Sequence, residues 1–449
     1  MTDNTIVILG NGISGVTCAR HIRKNDPDIP ITIVSAETRH FFSRTALMYI
    51  YMGHMKYEHT KPYADDFWEK NKISLKLAWV EQVDFTEREL HLAGGEKLSY
   101  KTLVLATGSK PNKFGWPGED LKGVQGLYSY QDLLQMEENT GKIGRAVLVG
   151  GGLIGVEMAE MLRSRNIPVT FLVRENGFWD NILPVEEAAL VGKHIREHHV
   201  DLRLATSLEE IISDKNGAVQ GIRTTDGETI DCQFVGLTAG VSPLIDIFKD
   251  SPLDTDRGIL VDDKFQTNLP GVYAIGDCAE FRSAPGEGRK TIEQVWYTGR
   301  MHGETLAHNL THKKQVSYVP GIWFNSAKFF DIEYQTYGHV PAKWTEPYHS
   351  FYWESGSGKV ALRLLFDQKD CILGMNAFGW RMRHEFFDRA IREGWKAERV
   401  LKQLSSADFN PEFHRQFHQQ VLDQYNRENG TAVKLPKRSF IQKLIGSRA

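Results

Sequence analysis

Cysteine is scarce in this chain: Cys18, Cys232, Cys278 and Cys371 are its only four, and they stand far apart. That spacing offers neither a disulfide framework nor a close metal-ligand cluster. No uninterrupted apolar run is long enough to span a bilayer, and the basic-then-apolar pattern of a secretory signal is missing. The expectation is a soluble, cytoplasmic protein with no transmembrane segment and no bound metal. Charge is nearly balanced, at a formal net of -3, so nothing global calls for nucleic acid as a partner. At 449 residues, 41% of them hydrophobic, the chain is too long for one ordinary core and suits two or three domains.

What the chain does have is one glycine pattern used twice. I-V-I-L-G-N-G-I-S-G carries Gly10, Gly12 and Gly15, and A-V-L-V-G-G-G-L-I-G carries Gly150, Gly152 and Gly155. Each apolar run reads as a buried parallel strand that stops at the glycines and enters a helix. The first glycine permits a tight turn, the second lets a pyrophosphate approach the backbone, and the third lets helix and strand pack closely. The helix N-terminus that results favours an anion. Ordinary α/β turns that bind nothing can carry the same glycines, so context matters. Each copy is followed by a second strand ending in an acid, Glu37 after I-T-I-V-S-A and Glu175 after V-T-F-L-V-R. An acid about 20 residues beyond the glycines can bind an adenine-ribose hydroxyl.

The fold class expected is α/β, with two nested Rossmann-like nucleotide-binding domains and a C-terminal α+β domain. Residues 1-110 and 251-320 form the first module, 111-140 connect it onward, and 141-250 form a second module inserted into the first. Residues 321-408 are a smaller α+β domain with antiparallel strands, and 409-449 are a helical, then basic tail that docks on the chain itself or stays disordered. T-R-H-F-F-S-R-T-A-L-M-Y-I-Y could lie against a planar cofactor or form a half-buried helix. In A-I-G-D-C, Gly276 and Asp277 follow a short strand, and Asp277 can accept hydroxyl hydrogen bonds or simply cap a helix.

The order G-N-G-I-S-G, A-T-G-S, G-G-G-L-I-G-V-E, T-N-L-P-G-V-Y-A-I-G-D-C resembles the FAD- and NAD(P)H-dependent pyridine nucleotide reductase family over about residues 4 to 405. It is most similar to the branch of ferredoxin, rubredoxin and oxygenase-coupled reductases. The resemblance implies that Gly10, Gly12, Gly15, Glu37, Ala106, Thr107, Gly108, Gly276 and Asp277 bind FAD. Arg44, Thr45 and Glu293 would lie on its isoalloxazine side. Gly150, Gly152 and Gly155 would cradle the pyrophosphate of NADH or NADPH, with Arg174 or Glu175 selecting between the two. Glu157 would orient the nicotinamide and Trp296 would stack near the flavin, where their plainer roles are a solvated helix acid and core packing. Two departures stand out: no redox cysteine lies between Ser43 and Leu47, and Tyr49 stands where the branch often has lysine.

Hydride would pass from the nicotinamide to FAD, and electrons would then leave for an external acceptor. That acceptor would be a small electron-transfer protein such as a ferredoxin or rubredoxin, or a small molecule; association of identical copies stays open. The alternatives are a disulfide, nitrite-linked, quinone or oxygen reductase, or a redox-sensing protein whose interactions depend on nucleotide.

Overall fold

The computed structural model describes residues 5–412 and 415–435. The chain divides into two compact units, Met1–Asn176 with His198–Pro320, and Gly177–Glu197 with Gly321–Ala449.

The first unit is built on two parallel five-stranded sheets. In chain order its principal elements are β1 (Ile6–Leu9), α1 (Ile13–Asn25), β2 (Ile31–Ser35), β3 (Ile73–Leu77), β4 (Thr102–Leu105), β5 (Val124–Gln125), α2 (Tyr130–Thr140), β6 (Ala146–Val149), α3 (Leu153–Ser164), β7 (Val169–Leu172), β8 (Val200–Arg203), β9 (Phe234–Leu237), β10 (Val272–Ala274) and α4 (Trp296–Thr311). The first sheet runs β10-β4-β1-β2-β3 and the second β8-β7-β6-β9-β5, every pairing parallel. Both central strands, β1 and β6, are buried along their whole length, which is why they read as continuous apolar runs rather than alternating ones. The second sheet is complete between segments of the first, so one α/β module is inserted in another.

Helix α4 returns to lie along α1, and glycine sets how closely. Gly299 and Gly303, one helical turn apart, face α1, where an added Cβ would lie 2.7 Å from Ser14 Oγ and 2.5 Å from Ser14 O, respectively. Any side chain at 303 would push the helices apart.

The second unit carries an antiparallel sheet of β11 (Phe324–Phe329), β12 (Ile332–Gly338), β13 (His349–Glu354), β14 (Ala361–Phe366) and β15 (Ile372–Phe378), in the order β11-β12-β15-β14-β13. Helices α5 (His384–Arg392), α6 (Ala397–Gln403) and α7 (His418–Asn429) follow. Their apolar side chains share one core with the sheet, in which Trp353, Trp380, Phe387 and Trp395 are buried. The aromatics of this region are thus ordinary core. The helix Val185–Glu197 belongs to this unit through a buried charge cluster. Arg363 donates from Nε to Glu187 Oε1 at 3.0 Å and from Nη2 to Glu186 Oε2 at 2.7 Å, and Asn376 donates to Glu187 Oε2 at 2.9 Å. Breaking such a pair strands a charge in a poor solvent. Val433 is buried and Leu435 packs on the same core; the remaining basic tail lies outside the described residues.

Candidate functional site

The two glycine turns have nearly the same geometry. Gly10 has φ +119° and its missing Cβ would sit 2.0 Å from Ala106 O; Gly150 has φ +114° and would meet Ala239 Cα at 2.7 Å. Both constraints are absolute, since L-residues avoid that φ and the neighbouring backbone cannot yield. Gly15 and Gly155 are filled from the other side, with an added Cβ falling 2.2 Å from Gly10 O and 2.5 Å from Phe171 Cζ. Gly12 differs in kind: nothing lies within 4 Å of where its Cβ would be, so that face of the turn is open.

Gly12 and Gly152 are the N-caps of α1 and α3, and neither helix has a side-chain cap. Helix α2 shows the alternative, for Ser129 accepts from Asp132 N–H and the Asp132 carboxylate accepts in turn from the Ser129 N–H. Ser129 thus closes that helix start with a reciprocal capping box. At the two glycine turns it leaves first-turn amides uncapped by side chains, the arrangement that suits a phosphate.

The fold brings several predicted residues together at the first turn. Ala106 N–H donates to Leu9 O at 2.8 Å, laying A-T-G-S beside the glycines. Gly276, at φ +75°, faces Ser14 in the first turn of α1, so closely that an added Cβ would fall 2.2 Å from its Oγ. Asp277 Oδ2 accepts from Ser109 Oγ and from the Tyr128 hydroxyl, both at 3.2 Å, and Gln294 Nε2 donates to Ser109 Oγ at 2.8 Å. Burial raises the Asp277 pKa against these hydrogen bonds and the nearby Arg44 charge. Behind the turn, Gly276 N–H donates to Nδ1 of the buried His302 at 3.1 Å. Burial, with a smaller push from Arg289, lowers the His302 pKa to about 3, so the ring is neutral and carries its proton on Nε2.

Glu37 lies two residues beyond β2 and is already engaged. Arg44 holds it through two parallel bonds, Nη1 to Oε1 at 2.8 Å and Nη2 to Oε2 at 2.6 Å, and Tyr130 N–H donates to Oε1 at 2.8 Å. Oε2 keeps one lone pair for a further donor. Thr45 is exposed and shares a hydrogen bond with Ser43 at 3.0 Å. Thr107 is tied by its hydroxyl to Leu244 O at 2.7 Å, and Gly108, at φ +77°, faces the Tyr128 hydroxyl. The Glu293 carboxylate forms a buried ion pair with Arg289 and accepts from Tyr318 at 3.4 Å. Trp296 starts α4 partly exposed, its ring edge-on to Tyr297. A cavity of about 570 Å³ opens beside Gln294, walled by Val241, Pro243 and Ile292, with Arg257 and Lys290 among its lining residues.

At the second turn Glu157 is half-buried on α3. Glu175 accepts from the highly exposed Arg174 at 2.9 Å, and the preceding Val173 is buried against Gly151. Sequence reasoning missed Ser109, Tyr128, Gln294, Arg289 and His302. Tyr128 carried no signal beyond lying in the connecting segment, and Arg289 sits four residues before a glutamate already singled out.

All four cysteines are free, three of them buried and Cys371 half-buried. Among the described residues no helix is long and apolar enough to cross a membrane.

Comparison with known proteins agrees with this geometry. The chain is 30% identical over 317 residues to rubredoxin-NAD(+) reductase of Acinetobacter baylyi, covering 68% of this chain and 79% of the relative. It is 28% identical over 320 residues to the ferredoxin--NAD(+) reductase component of the p-cumate 2,3-dioxygenase system of Pseudomonas putida, covering 71% and 77%. The fold matches that of the ferredoxin reductase for the CYP199A2 system from Rhodopseudomonas palustris with a TM-score of 0.75 at 22% identity, over 84% of this chain and 91% of that one. The family model described as pyridine nucleotide-disulphide oxidoreductase matches residues 4–303. The chain therefore belongs to the pyridine nucleotide-disulphide oxidoreductase family, as an oxidoreductase that uses FAD and NAD(P)H.

Proposed function

We propose that this reductase takes hydride from NADH or NADPH and passes electrons outward to a small electron-transfer protein of the ferredoxin or rubredoxin kind. The observation that carries the reading is the pairing of two glycine turns whose helices have no side-chain cap with four cysteines that are free and dispersed. A chain built to reduce a disulfide internally would need two thiols side by side. The names of its relatives support the same acceptor class.

In this reading residues 1-110 and 251-320 hold FAD and 141-250 hold the nicotinamide nucleotide. The residues at the first turn fit FAD: uncapped α1 amides and the open side of Gly12 suit its pyrophosphate, and Glu37 and Asp277 suit hydroxyl groups. Bound FAD would supply the hydride-accepting and electron-releasing chemistry, which no side chain here can. Gly150, Gly152 and Gly155 seat the second pyrophosphate, Glu157 orients the nicotinamide, and Trp296 shields the flavin edge. Glu293 contributes its backbone, its carboxylate being occupied by Arg289.

The test is steady-state turnover of the FAD-loaded protein with NADH and with NADPH, using a rubredoxin, a [2Fe–2S] ferredoxin, a quinone, nitrite, oxygen and glutathione disulfide as separate acceptors. Fast reduction of an iron–sulfur or rubredoxin acceptor, with negligible disulfide reduction, is the expected result. Turnover confined to the disulfide would overturn the proposal.

A further inference from the structure

We infer that Tyr128 is a positioning residue of the flavin site, holding Asp277 by one oxygen so that the other faces the cofactor. The inference rests on the reading that Asp277 binds FAD, and it adds a residue from the connecting segment that no glycine motif touches.

Tyr128 spans three parts of the site. Its hydroxyl donates to Asp277 Oδ2 at 3.2 Å and accepts from Ser109 N–H at 3.0 Å. Its ring lies under the Arg44 guanidinium, 4.4 Å from the centroid, and its carbonyl accepts from the same guanidinium that grips Glu37. The residue therefore ties the acid after β2, the A-T-G-S segment and the G-D turn to one another.

The hydrogen-bond pattern on Asp277 is one-sided. Both side-chain donors, Ser109 Oγ and the Tyr128 hydroxyl, converge on Oδ2; among the described residues Oδ1 accepts from none. A carboxylate has about four acceptor sites. Fixing one oxygen from behind orients the other toward a hydroxyl-bearing ligand and spares the ordering cost at binding. A phenylalanine at 128 would keep the ring under Arg44 while removing the donor and leaving Ser109 N–H without its acceptor.

The charged and titratable groups facing Asp277 are Arg44, Tyr128 and the adjacent Cys278, with Glu37 behind Arg44 and neutral His302 reaching only the Gly276 amide. Tyr128 and Ser109 each favour the ionised carboxyl, and burial opposes them. Removing the Tyr128 donor should raise the pH at which Asp277 protonates. A role in packing alone would weaken binding equally at every pH.

The experiment strips FAD from the purified holoenzyme and titrates it back across pH 5 to 9, following flavin fluorescence. Tyr128→Phe should weaken FAD binding about tenfold at neutral pH, the effect of one hydrogen bond to a charged group, and move the acid limb of the binding profile upward. In the Asp277→Asn background the Tyr128→Phe substitution should do much less. Ser109→Ala, which removes the other donor to Oδ2, should shift the limb the same way and serves if Tyr128→Phe does not fold. An unchanged limb in both, or a Tyr128→Phe effect of equal size in the Asp277→Asn background, overturns the role of Tyr128. Full FAD affinity in Asp277→Asn alone would instead overturn the placement of Asp277 at the flavin.

Discussion

The first and second glycine turns share a backbone and differ in what surrounds it. Gly10 and Gly150 adopt almost the same φ, Gly12 and Gly152 cap their helices without side chains, and Gly15 and Gly155 both face the strand–turn backbone. Around the first turn, however, stand Arg44, Glu37, Tyr128, Ser109, Asp277 and His302, in a network of side chains drawn from five stretches of sequence. Around the second, Thr238 ties back to Val149 O at 3.0 Å and Gly150 O at 3.1 Å, and Arg174 with Glu175 lies out toward solvent. The first turn is tied into a network of side chains, while at the second Thr238 ties to the backbone of the turn itself. One backbone motif is thus set in two different side-chain surroundings.

Substituting the tight glycines tests this contrast most severely. Gly10→Ala must displace Ala106 O from 2.0 Å and should cost about 3 kcal/mol or more, with loss of bound flavin. Gly150→Ala carries similar strain but should leave a yellow protein that NADH and NADPH no longer reduce. Melting curves and the flavin-to-protein absorbance ratio read both outcomes. Gly150→Ala losing its flavin first would break the assignment of the turns.

The acids separate the two sites next. Arg44→Ala leaves Glu37 partly buried without its bidentate partner and should cost about 1–2 kcal/mol, measured by urea unfolding. Arg174→Ala should cost nothing measurable, because an exposed pair is screened and mobile. Charge reversal in Arg174→Glu should instead alter the ratio of kcat/KM for NADPH and NADH, and an unchanged ratio would remove Arg174 as the selector.

The first site carries a buried group sensitive to acid. The pKa of His302 is lowered to about 3 in the fold and is near 6.5 in an unfolded chain. Below pH 6.5 the unfolded state takes up a proton that the folded state refuses, so this contribution to stability falls as pH falls toward 3. Between pH 6.5 and 5 the loss is about 1–2 kcal/mol. His302→Asn, which keeps an acceptor for Gly276 N–H, should flatten that slope; an equally steep slope would contradict a buried neutral ring.

Gly10, Gly15, Gly150 and Gly155 were legible because each answers a local demand of the backbone, a positive φ or a contact too close for Cβ. The parallel sheets were legible for a similar reason, since strands buried on both faces are written as unbroken apolar runs. The network at the first turn was not. Tyr128 meets Asp277 across 149 residues and Gln294 meets Ser109 across 185, and no periodicity encodes such a meeting. Glu37 and Arg44 were each visible, but their mutual grip depends on how the short helical turn at Arg44–Ala46 aims a side chain. Gly177–Glu197 falls in the second unit, held there by Arg363, a charge inside a strand that reads as apolar, and by Phe178 and Trp179 against Phe329.

The central claim is that the two turns serve two different nucleotides in one electron path. Anaerobic mixing of the FAD-loaded protein with NADH or NADPH, followed at the oxidised-flavin absorbance, tests it most directly. The account predicts rapid bleaching with at least one nucleotide in the wild type and none in Gly150→Ala that still holds its flavin. Failure of both nucleotides to bleach the wild-type flavin would contradict it.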